Sequence, residues 1–445
     1  MRPTAVSGGE AVAQVRSAGG RVGIVTAVTP VPLWRNRDFT LLWTSQAAST
    51  IGTRITSVAY PLLVLALTGS PTQAGIVAFA QTLPFLLLYL PGGAWIDRWN
   101  SRRTMVLCDL GRALALGSVA ATAMVGGIEA VSVVQLAAVA FAEGCLFVLF
   151  DLAEGAALPR FVDAGQVPTA VAANQARLQA AERAGQPLGG ALFAVAPALP
   201  FAVDAVTYLA SGGAVAAIRT RLQGEREPRT TRLRAEIAEG LRFVLRSRFQ
   251  RESVVLVAGM NLVFNALFLA LIVRARDLGT SATGIGLMLG GYGLGGVLGS
   301  LAAPALHRRL PGRLILVGTA WAWAGLLGLL PLMPSALWLG AVAAAASLLG
   351  PAFNVVLAAH LYRVAPDELL GRVRSTVRLV AWGAIPVGSL LGGAAAEALG
   401  ARLALAVVAV AMLPVAVATS LSPGMRELPG RHREDRAATG FPGQA

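Results

Sequence analysis

The sequence predicts an all-α integral membrane protein with twelve transmembrane helices in two six-helix halves, and three observations support this prediction. Hydrophobic residues make up 55% of the 445 residues and charged residues 13%, against about a quarter charged in a typical soluble domain. Apolar runs long enough to cross a bilayer core of about 30 Å recur twelve times. Arginines are concentrated in alternate connections between these runs. These features exclude an intrinsically disordered chain and a secreted disulfide scaffold.

The twelve runs fall into two sets of six on either side of an arginine-rich segment. The sequence predicts an N-terminal half at 39–218, a central loop at 219–252 and a C-terminal half at 253–421, with tails at 1–38 and 422–445. The predicted spans are 39–67, 73–96, 104–126, 131–157, 181–198, 201–218, 253–273, 282–304, 313–333, 335–357, 375–397 and 401–421.

The positions of the arginines predict the orientation of the chain. Most basic residues lie in the two tails, in the 219–252 loop and in the connections on the same side of the membrane. Because cytoplasmic connections are enriched in basic residues, both termini are predicted to be cytoplasmic, as an even number of spans requires. The net charge of +14 therefore reflects topology and indicates no nucleic-acid partner. The expected location is the bacterial cytoplasmic membrane.

The two halves resemble each other at a fixed offset. The Asp97-Arg98 pair follows the second span, and the His307-Arg308 pair follows the eighth span 210 residues later. Duplicated halves around a central site are typical of secondary transporters. The repeat therefore favours transport over a receptor or an enzyme.

The connection after the second span carries a recognisable motif. It reads Gly93-Ala94-Trp95-Ile96-Asp97-Arg98 and is followed by the basic pair Arg102-Arg103. This resembles the signature loop of the major facilitator superfamily. The Asp109-Leu110-Gly111-Arg112 and Gly185-Gln186-Pro187-Leu188-Gly189-Gly190 segments resemble motifs of its drug and metabolite exporter branch, which includes macrolide and siderophore exporters. The resemblance implies the twelve-helix fold and export by alternating access.

The same resemblance implies a gate at the cytoplasmic side. Asp97 would cap or pair with the start of the eleventh helix near Arg374 and Ser375, latching the outward-facing state, because a helix N-terminus attracts an anion. The alternative is that the loop only fixes topology and shape. Asp109 and Arg112, three residues apart, are close enough for an intrahelical pair that supports the gate or contacts substrate. The predicted gate residues are Gly93, Asp97, Arg98, Arg102, Arg103, Asp109 and Arg112.

The first span carries a polar stripe that predicts a cavity wall. Lipid cannot satisfy polar side chains, so the stripe must face the bundle interior or water. Arg54 lies ~24 Å along this helix from its start, near the membrane centre, where arginine is rare and usually functional. The stripe consists of Gln46, Thr50, Thr53, Arg54 and Ser57.

Glu143 of the fourth span is the predicted partner of Arg54. It lies ~18 Å into its span from the opposite side, so the two residues have similar depths. We predict that they face one another and that protonation of Glu143, or substrate binding, breaks the pair during transport. The alternative is a static ion pair that orients the helices.

Two further spans contribute polar candidates. Asn261 and Asn265 of the seventh span are spaced i, i+4 and line the cavity or make helix–helix hydrogen bonds. Asp204, near the outer end of the sixth span, is expected to anchor a turn. The sequence shows no phosphate-binding loop, no histidine spacing for a metal site and no nucleophile beside a base, so we predict no enzyme activity, no cofactor and no metal.

The sequence therefore predicts a secondary active transporter that exports a small amphipathic drug or metabolite by alternating access and proton antiport. Its expected partners are the substrate, protons and the lipid bilayer, and it is expected to be monomeric. Two alternatives remain open at this point. One is an uptake permease for a metabolite, and the other is a sensor or scaffold of the same fold without transport activity.

Overall fold

The computed structural model has an all-α membrane region, as predicted. It describes residues 12–16, 22–26, 33–96, 98–157, 162, 166–220, 241–242, 244–364 and 367–426. A short antiparallel hairpin, β1 (Val12–Arg16) and β2 (Val22–Thr26), precedes the helices within the predicted N-terminal tail. Single 3-10 turns lie at Leu33–Arg35, Ile128–Ala130 and Leu330–Leu332.

The helices follow the predicted spans closely. In chain order they are α1 (Arg37–Thr68), α2 (Pro71–Ile96), α3 (Ser101–Gly126), α4 (Val133–Ala157), α5 (Val167–Val195), α6 (Leu199–Ala216), α7 (Arg248–Asp277), α8 (Ala282–Arg309), α9 (Gly312–Leu329), α10 (Ala336–Val364), α11 (Asp367–Leu399), α12 (Ala401–Leu421) and the short α13 (Pro423–Arg426). Within the described residues, 11 helices are long and apolar enough to cross a membrane.

The helix α5 is the exception among α1 to α12. It begins at Val167, whereas the predicted span begins at 181, and it is not among the helices that are apolar enough to cross a membrane by composition. Arg177, Glu182 and Arg183 lower its hydropathy. Its place in the bundle is set by packing against α1 and α8 rather than by its composition.

Polar caps explain where two helices begin. The Asn36 side chain accepts hydrogen bonds from the backbone N–H groups of Asp38 and Phe39, which starts α1. The Ser247 side chain caps α7 in the same way, so α7 begins before the predicted span at 253. Caps satisfy the N–H groups that a first helical turn leaves without partners. The predicted boundaries of the two tails (1–38 and 422–445) and of the central loop (219–252) remain predictions.

Packing within α1 to α6 recurs within α7 to α12. In the first set α1 packs on α5 and α6, α2 packs on α4, and α3 packs on α4 and α6. In the second set α7 packs on α11 and α12, α8 packs on α10, and α9 packs on α10 and α12. Adding six to each helix number of the first set gives the second set. The fold is therefore two copies of one six-helix arrangement, as the repeat predicts.

Two reciprocal contacts join the six-helix sets, α2 with α11 and α5 with α8. Glycines allow the backbones to approach closely at both. A Cβ on Gly75 would lie 3.3 Å from the Cα of Gly393, and a Cβ on Gly190 would lie 2.8 Å from the Cα of Gly286. Small residues at helix interfaces are typical of membrane proteins, where close packing replaces the hydrophobic effect.

These four glycines lie towards one end of the bundle. We call this end, which holds the α1–α2, α3–α4, α5–α6, α7–α8, α9–α10 and α11–α12 connections, the turn end. The opposite end, where α1 begins and α12 ends, is the tail end.

Candidate functional site

A cavity of about 110 Å³ lies among α1, α3, α4 and α5. Three predicted cavity residues, Gln46, Thr50 and Arg54, are on its wall, together with Arg112 of the predicted gate set. Their roles in transport stay predictions. The complete lining is Gln46, Ser49, Thr50, Thr53, Arg54, Arg112, Phe147, Phe150, Asp151, Glu154, Arg177 and Leu178.

The predicted ion pair between Arg54 and Glu143 is wrong. Nη1 of Arg54 lies 3.7 Å from Oε1 of Glu182 on α5, and both side chains are more than a third exposed. Solvent weakens such a pair. Glu143 instead accepts a hydrogen bond from the Tyr60 hydroxyl at 3.1 Å and one from Nε2 of Gln81 at 3.4 Å.

The physical reason for this error is rotation about the α1 axis. Sequence spacing gave the depths of Arg54 and Glu143 but not their directions. Arg54 and Tyr60 are six residues apart, so at 3.6 residues per turn they point about 120° apart. Tyr60 takes the side of α1 that faces Glu143. Arg54 faces α5, whose Gly185 lets the two helices touch because a Cβ there would meet the Arg54 Cβ at 2.3 Å.

Arg112 on α3 is buried at the end of the cavity. Its Nη1 lies 3.7 Å from Oδ1 of Asp109, so the predicted intrahelical pair is present. The guanidinium also lies over three aromatic rings, at 4.7 Å from the Tyr208 centroid, 5.3 Å from Phe147 and 5.5 Å from Phe150. Cation–π contact stabilises a cation away from water. Arg112 therefore keeps its charge within a largely aromatic pocket.

A hydrogen-bonded chain connects the cavity wall to Asp109. Nε2 of Gln46 donates to Oγ of Ser211 at 2.7 Å, and the Ser211 hydroxyl donates to Oδ2 of Asp109 at 2.6 Å. Close by, the hydroxyl groups of Thr53 and Tyr208 lie 2.7 Å apart. Residues of α1 thus connect the cavity with buried groups on α3 and α6.

Asp204 on α6 does not serve the predicted purpose of anchoring a turn. Its side chain is fully buried, and its carboxylate accepts hydrogen bonds from Oγ1 of Thr56 at 2.8 Å and Oγ1 of Thr207 at 3.1 Å. Gly52 of α1 packs directly on it, because a Cβ at residue 52 would lie 2.2 Å from Oδ1 of Asp204. Asp204 therefore belongs to the interior of the first six-helix set.

Asp109, Arg112, Glu143 and Asp204 form what we call the buried charge network, with Tyr60 and Tyr208 as hydroxyl partners. All four ionisable residues are at most 3% exposed. Three carboxyl groups and one guanidinium would carry two uncompensated negative charges if all were ionised. Because burial of an uncompensated charge costs several kcal/mol, this arrangement favours protonation of at least one carboxyl group.

Tyr60, Tyr208 and Asp204 were missed as site residues in the sequence. One signal was available on α1, where Thr53, Thr56 and Tyr60 are spaced i, i+3 and i+7 and so share one face. That face points to α6 and α4. The predicted stripe included Thr53 but left out Thr56, and it ended at Ser57, before Tyr60.

The predicted latch at the tail end falls largely on residues that the structure does not describe. Asp97 lies outside the described residues, and so do the side chains of Arg374 and Ser375. Arg98 is exposed. A Cβ on Gly93 would meet no atom within 4 Å, so packing does not require glycine there.

Two further members of the predicted gate set lie at the start of α3. The Arg102 side chain donates to the carbonyl oxygens of Val215 at 3.3 Å and Ala216 at 2.5 Å, which caps the C-terminal end of α6. The Arg103 N–H is held by the Asn100 cap.

The two asparagines of α7 make helix contacts rather than cavity contacts. Nδ2 of Asn261 donates to the carbonyl oxygen of Ala381 on α11 at 2.7 Å, and Nδ2 of Asn265 donates to the carbonyl oxygen of Asn261 at 2.8 Å. Neither lines the 110 Å³ cavity. The sequence left open whether these asparagines line the cavity or make helix–helix hydrogen bonds. For Asn261, the structure shows the helix–helix hydrogen bond.

The two six-helix sets are joined by polar contacts at the turn end. Oε2 of Glu397 on α11 accepts hydrogen bonds from the Thr72 N–H at 2.8 Å and the Ser70 hydroxyl at 2.5 Å, which places an anion at the start of α2. Nη1 of Arg276 on α7 donates to the carbonyl oxygen of Leu65 at 2.6 Å. A larger cavity of about 400 Å³ lies here and is lined by Arg276 and Glu397 among others, away from the buried charge network.

An aromatic cluster joins the sets nearer the cavity. The Trp382 ring on α11 lies 5.8 Å from Phe85 and 5.6 Å from Tyr89 on α2, and Phe85 lies 5.5 Å from Phe147 of the cavity wall. The Tyr89 hydroxyl donates to Oδ2 of Asp151 at 3.0 Å. Movement of α11 against α2 would therefore shift the aromatic side chains that contact the cavity wall.

The family of the chain follows from a comparison of its whole length with known families. The model of the family described as transmembrane secretion effector matches residues 27–442. The chain belongs to this family of major facilitator transporters. Transmembrane secretion effectors are transporters rather than enzymes, and this one is a multi-span protein of the bacterial plasma membrane.

Curated relatives of the chain include efflux pumps. It is 30% identical over 393 residues to the multidrug efflux pump Tap of Mycolicibacterium fortuitum, covering 85% of this chain and 93% of that protein. It is 29% identical over 410 residues to the multidrug efflux pump Tap of Mycobacterium tuberculosis, covering 88% and 95%. The similarity therefore spans the whole transporter region of each protein.

Solved structures show the same fold. The nucleoside transporter NupG aligns with a TM-score of 0.72 at 10% identity, covering 89% of this chain and all of the other. A bacterial homologue of the human lysosomal transporter Spinster aligns with a TM-score of 0.67 at 15% identity, covering 88% and 98%. At these identities the likeness concerns the fold alone, and it agrees with the twelve-helix arrangement of this transmembrane secretion effector.

Proposed function

We propose that this transporter exports small amphipathic compounds from the cytoplasm by alternating access, with proton entry as the driving force. The buried charge network beside the cavity carries this proposal, because it offers carboxyl groups that can take up and release a proton next to the substrate. The relatives named multidrug efflux pumps support the direction of transport and the class of substrate.

The turn-end contacts support alternating access. Glu397 and Arg276 hold α11 and α7 against the α1–α2 connection, and the glycine pairs bring the backbones together on the same side. With both termini in the cytoplasm, as the arginines predict, the turn end faces the outside and these contacts close it. The opposite conformation would break them and open the turn end.

The proton would bind within the buried charge network. Glu143 accepts hydrogen bonds from Tyr60 and Gln81, and Asp204 accepts them from Thr56 and Thr207, so hydroxyl and amide groups are the donors. Such partners can hydrogen-bond a neutral carboxyl group as well as a charged one. Glu143 lies near the Arg112 guanidinium, which extends to the cavity wall, so a change in charge at Glu143 would be felt by a bound substrate.

The transporter would act as a monomer in the lipid bilayer, with the substrate and protons as its partners. Gln46, Thr50 and Arg54 would contact the substrate from α1. Asp97, Arg98 and Arg103 would belong to the tail-end gate, whereas Asn261 would maintain contact between α7 and α11 and Asn265 would support it within α7.

The test is efflux of preloaded fluorescent dyes from cells that express the chain, with and without a protonophore. The variant Glu143→Gln removes the proposed proton site, and Glu129→Gln makes the same change at an exposed glutamate in the α3–α4 turn. We expect protonophore-sensitive efflux in the unmodified protein and in Glu129→Gln. In Glu143→Gln, protonophore-sensitive efflux should be lost. Arg54→Ala should reduce efflux without abolishing its sensitivity to the protonophore.

The alternatives give different results. Energised accumulation of a compound inside the cells would favour an uptake permease. Binding without movement in either direction would favour a sensor or scaffold. Efflux by Glu143→Gln that keeps its full protonophore sensitivity would show that Glu143 does not couple transport to protons.

A further inference from the structure

Several hydrogen-bond donors on the wall of the cavity of about 110 Å³ have no acceptor among the described residues. Three arginines, Arg54, Arg112 and Arg177, lie on its wall. Four of their N–H-bearing atoms are buried without an acceptor among the described residues, namely Nε of Arg54, Nε of Arg112, and Nε and Nη1 of Arg177. A buried donor without a partner is unfavourable, so four in one place indicate a site that a ligand completes.

Arg177 is the strongest of these donors. Its side chain is 5% exposed, and only its Nη2 has a described partner, Oε1 of Glu154 at 3.1 Å. Nε and Nη1 lie on different edges of the guanidinium, so each can donate one charge-assisted hydrogen bond to an anion.

Both carboxylates on the same wall already accept a hydrogen bond. Glu154 receives the hydrogen bond from Arg177, and Asp151 receives the one from Tyr89. Outside the lining, Glu182 lies beside Arg54 and Asp109 lies beside Arg112, each at 3.7 Å. A cationic ligand would compete with these donors for the carboxylates. An anionic ligand would meet donors that have no partner.

We infer that this cavity binds a carboxylate, or a comparable anionic group, carried by the exported compound. A water molecule occupies about 30 Å³ in the liquid, so about 110 Å³ holds a carboxylate and the first carbons attached to it. Phe147 and Phe150 provide the apolar contact for those carbons. This inference rests on the proposed export function, since it names the chemistry of the substrate.

Binding of benzoate to the purified full-length protein tests the inference, with benzamide as the neutral probe of the same shape. We expect benzoate to bind at least about tenfold more tightly than benzamide, because charge-assisted hydrogen bonds replace neutral ones. Arg177→Gln should weaken benzoate binding about tenfold or more and leave benzamide unchanged. Arg309→Gln, at an exposed arginine that ends α8, is the matched control and should bind benzoate normally.

A second variant covers the case in which Arg177→Gln does not fold. Glu154→Gln removes the charge that competes for the guanidinium and should tighten benzoate binding several-fold. Equal affinities for benzoate and benzamide, or benzoate binding unaffected by both variants, would overturn the inference.

Dye efflux separates this inference from the proposed function. Selective benzoate binding that depends on Arg177, in a protein that moves no dye of any charge in either direction, would contradict export while upholding the anion site. Protonophore-sensitive efflux without preference for benzoate over benzamide would uphold export and contradict the anion site.

Discussion

Replacement of Gly52 by alanine gives a sharp test of the contact between α1 and α6. The added Cβ would lie 2.2 Å from Oδ1 of Asp204 and 2.5 Å from Oγ1 of Thr207, both well inside van der Waals contact. Asp204 cannot simply turn away, because Thr56 and Thr207 hold it and no solvent reaches it. The helices must therefore separate, or the hydrogen bonds must break.

The magnitude follows from two opposing effects. Overpacking of a tight interior costs about 1 to 3 kcal/mol, whereas glycine to alanine in a helix gains up to about 1 kcal/mol. Gly117 on α3 supplies the control, because a Cβ there would meet no atom within 4 Å. Since the helix term is common to both variants, Gly52→Ala should be less stable than Gly117→Ala by about 1 to 3 kcal/mol.

Thermal unfolding of the purified variants in detergent, followed by tryptophan fluorescence, measures this difference. Gly52→Ala should unfold at a lower temperature than the unmodified protein, and Gly117→Ala at the same or a higher one. Equal unfolding temperatures for the two variants would refute the packing of α1 on Asp204 and, with it, the place of Asp204 in the buried charge network.

Three other predictions concern the groups around this contact. Asp204→Asn keeps an acceptor for Thr56 but cannot take up a proton, so efflux should lose protonophore sensitivity while thermal unfolding changes little. Ser211→Ala removes a donor from buried Asp109 and should cost about 1 to 3 kcal/mol in unfolding free energy, whereas Ser118→Ala on the exposed face should cost less than 1 kcal/mol. Glu397→Gln weakens the contact at the start of α2 and should favour the conformation in which the turn end is open. The distance between spin labels in the α3–α4 and α9–α10 turns should then be longer in a larger fraction of the molecules than in the unmodified protein.

Hydropathy predicted the membrane helices well because lipid imposes one simple requirement, a long apolar run. It failed where charges lie inside the bundle. The predicted fifth span began at 181, after Arg177, yet α5 begins at Val167 and includes that arginine. The charges of Arg177, Glu182 and Arg183 are compatible with the fold because they face Arg54, Glu154 and the second six-helix set rather than lipid.

The cavity could be predicted only in part. Spacing along α1 correctly grouped Gln46, Thr50 and Arg54, since side chains three and four residues apart share a face. Spacing could not pair residues across helices, because that depends on how each helix is rotated about its axis. Glu143 was therefore given the wrong partner, and Asp204 was placed at a turn although it is held by Thr56 in the interior.

The symmetry of the packing contrasts with an asymmetry of charge. The helices of the two sets pack in the same pattern, yet the buried carboxylates and arginines of the described residues lie in the first set, in Asp38, Asp109, Arg112, Glu143, Arg177 and Asp204. Buried polar residues of the second set are mainly serine, threonine and glutamine, with one histidine.

If both sets bound protons, both would be expected to contain buried carboxyl groups. Because charge inside a membrane protein is costly and persists where function requires it, the asymmetry favours α1 through α6 as the place of the proposed proton and anion chemistry. The second set would then act chiefly as the moving partner. Its contacts through Trp382 and Glu397 lie at the aromatic cluster beside the cavity and at the turn end. A change of charge at Glu143 or Asp204 would reach the second set through α1 and α2, the helices that touch both the network and those contacts.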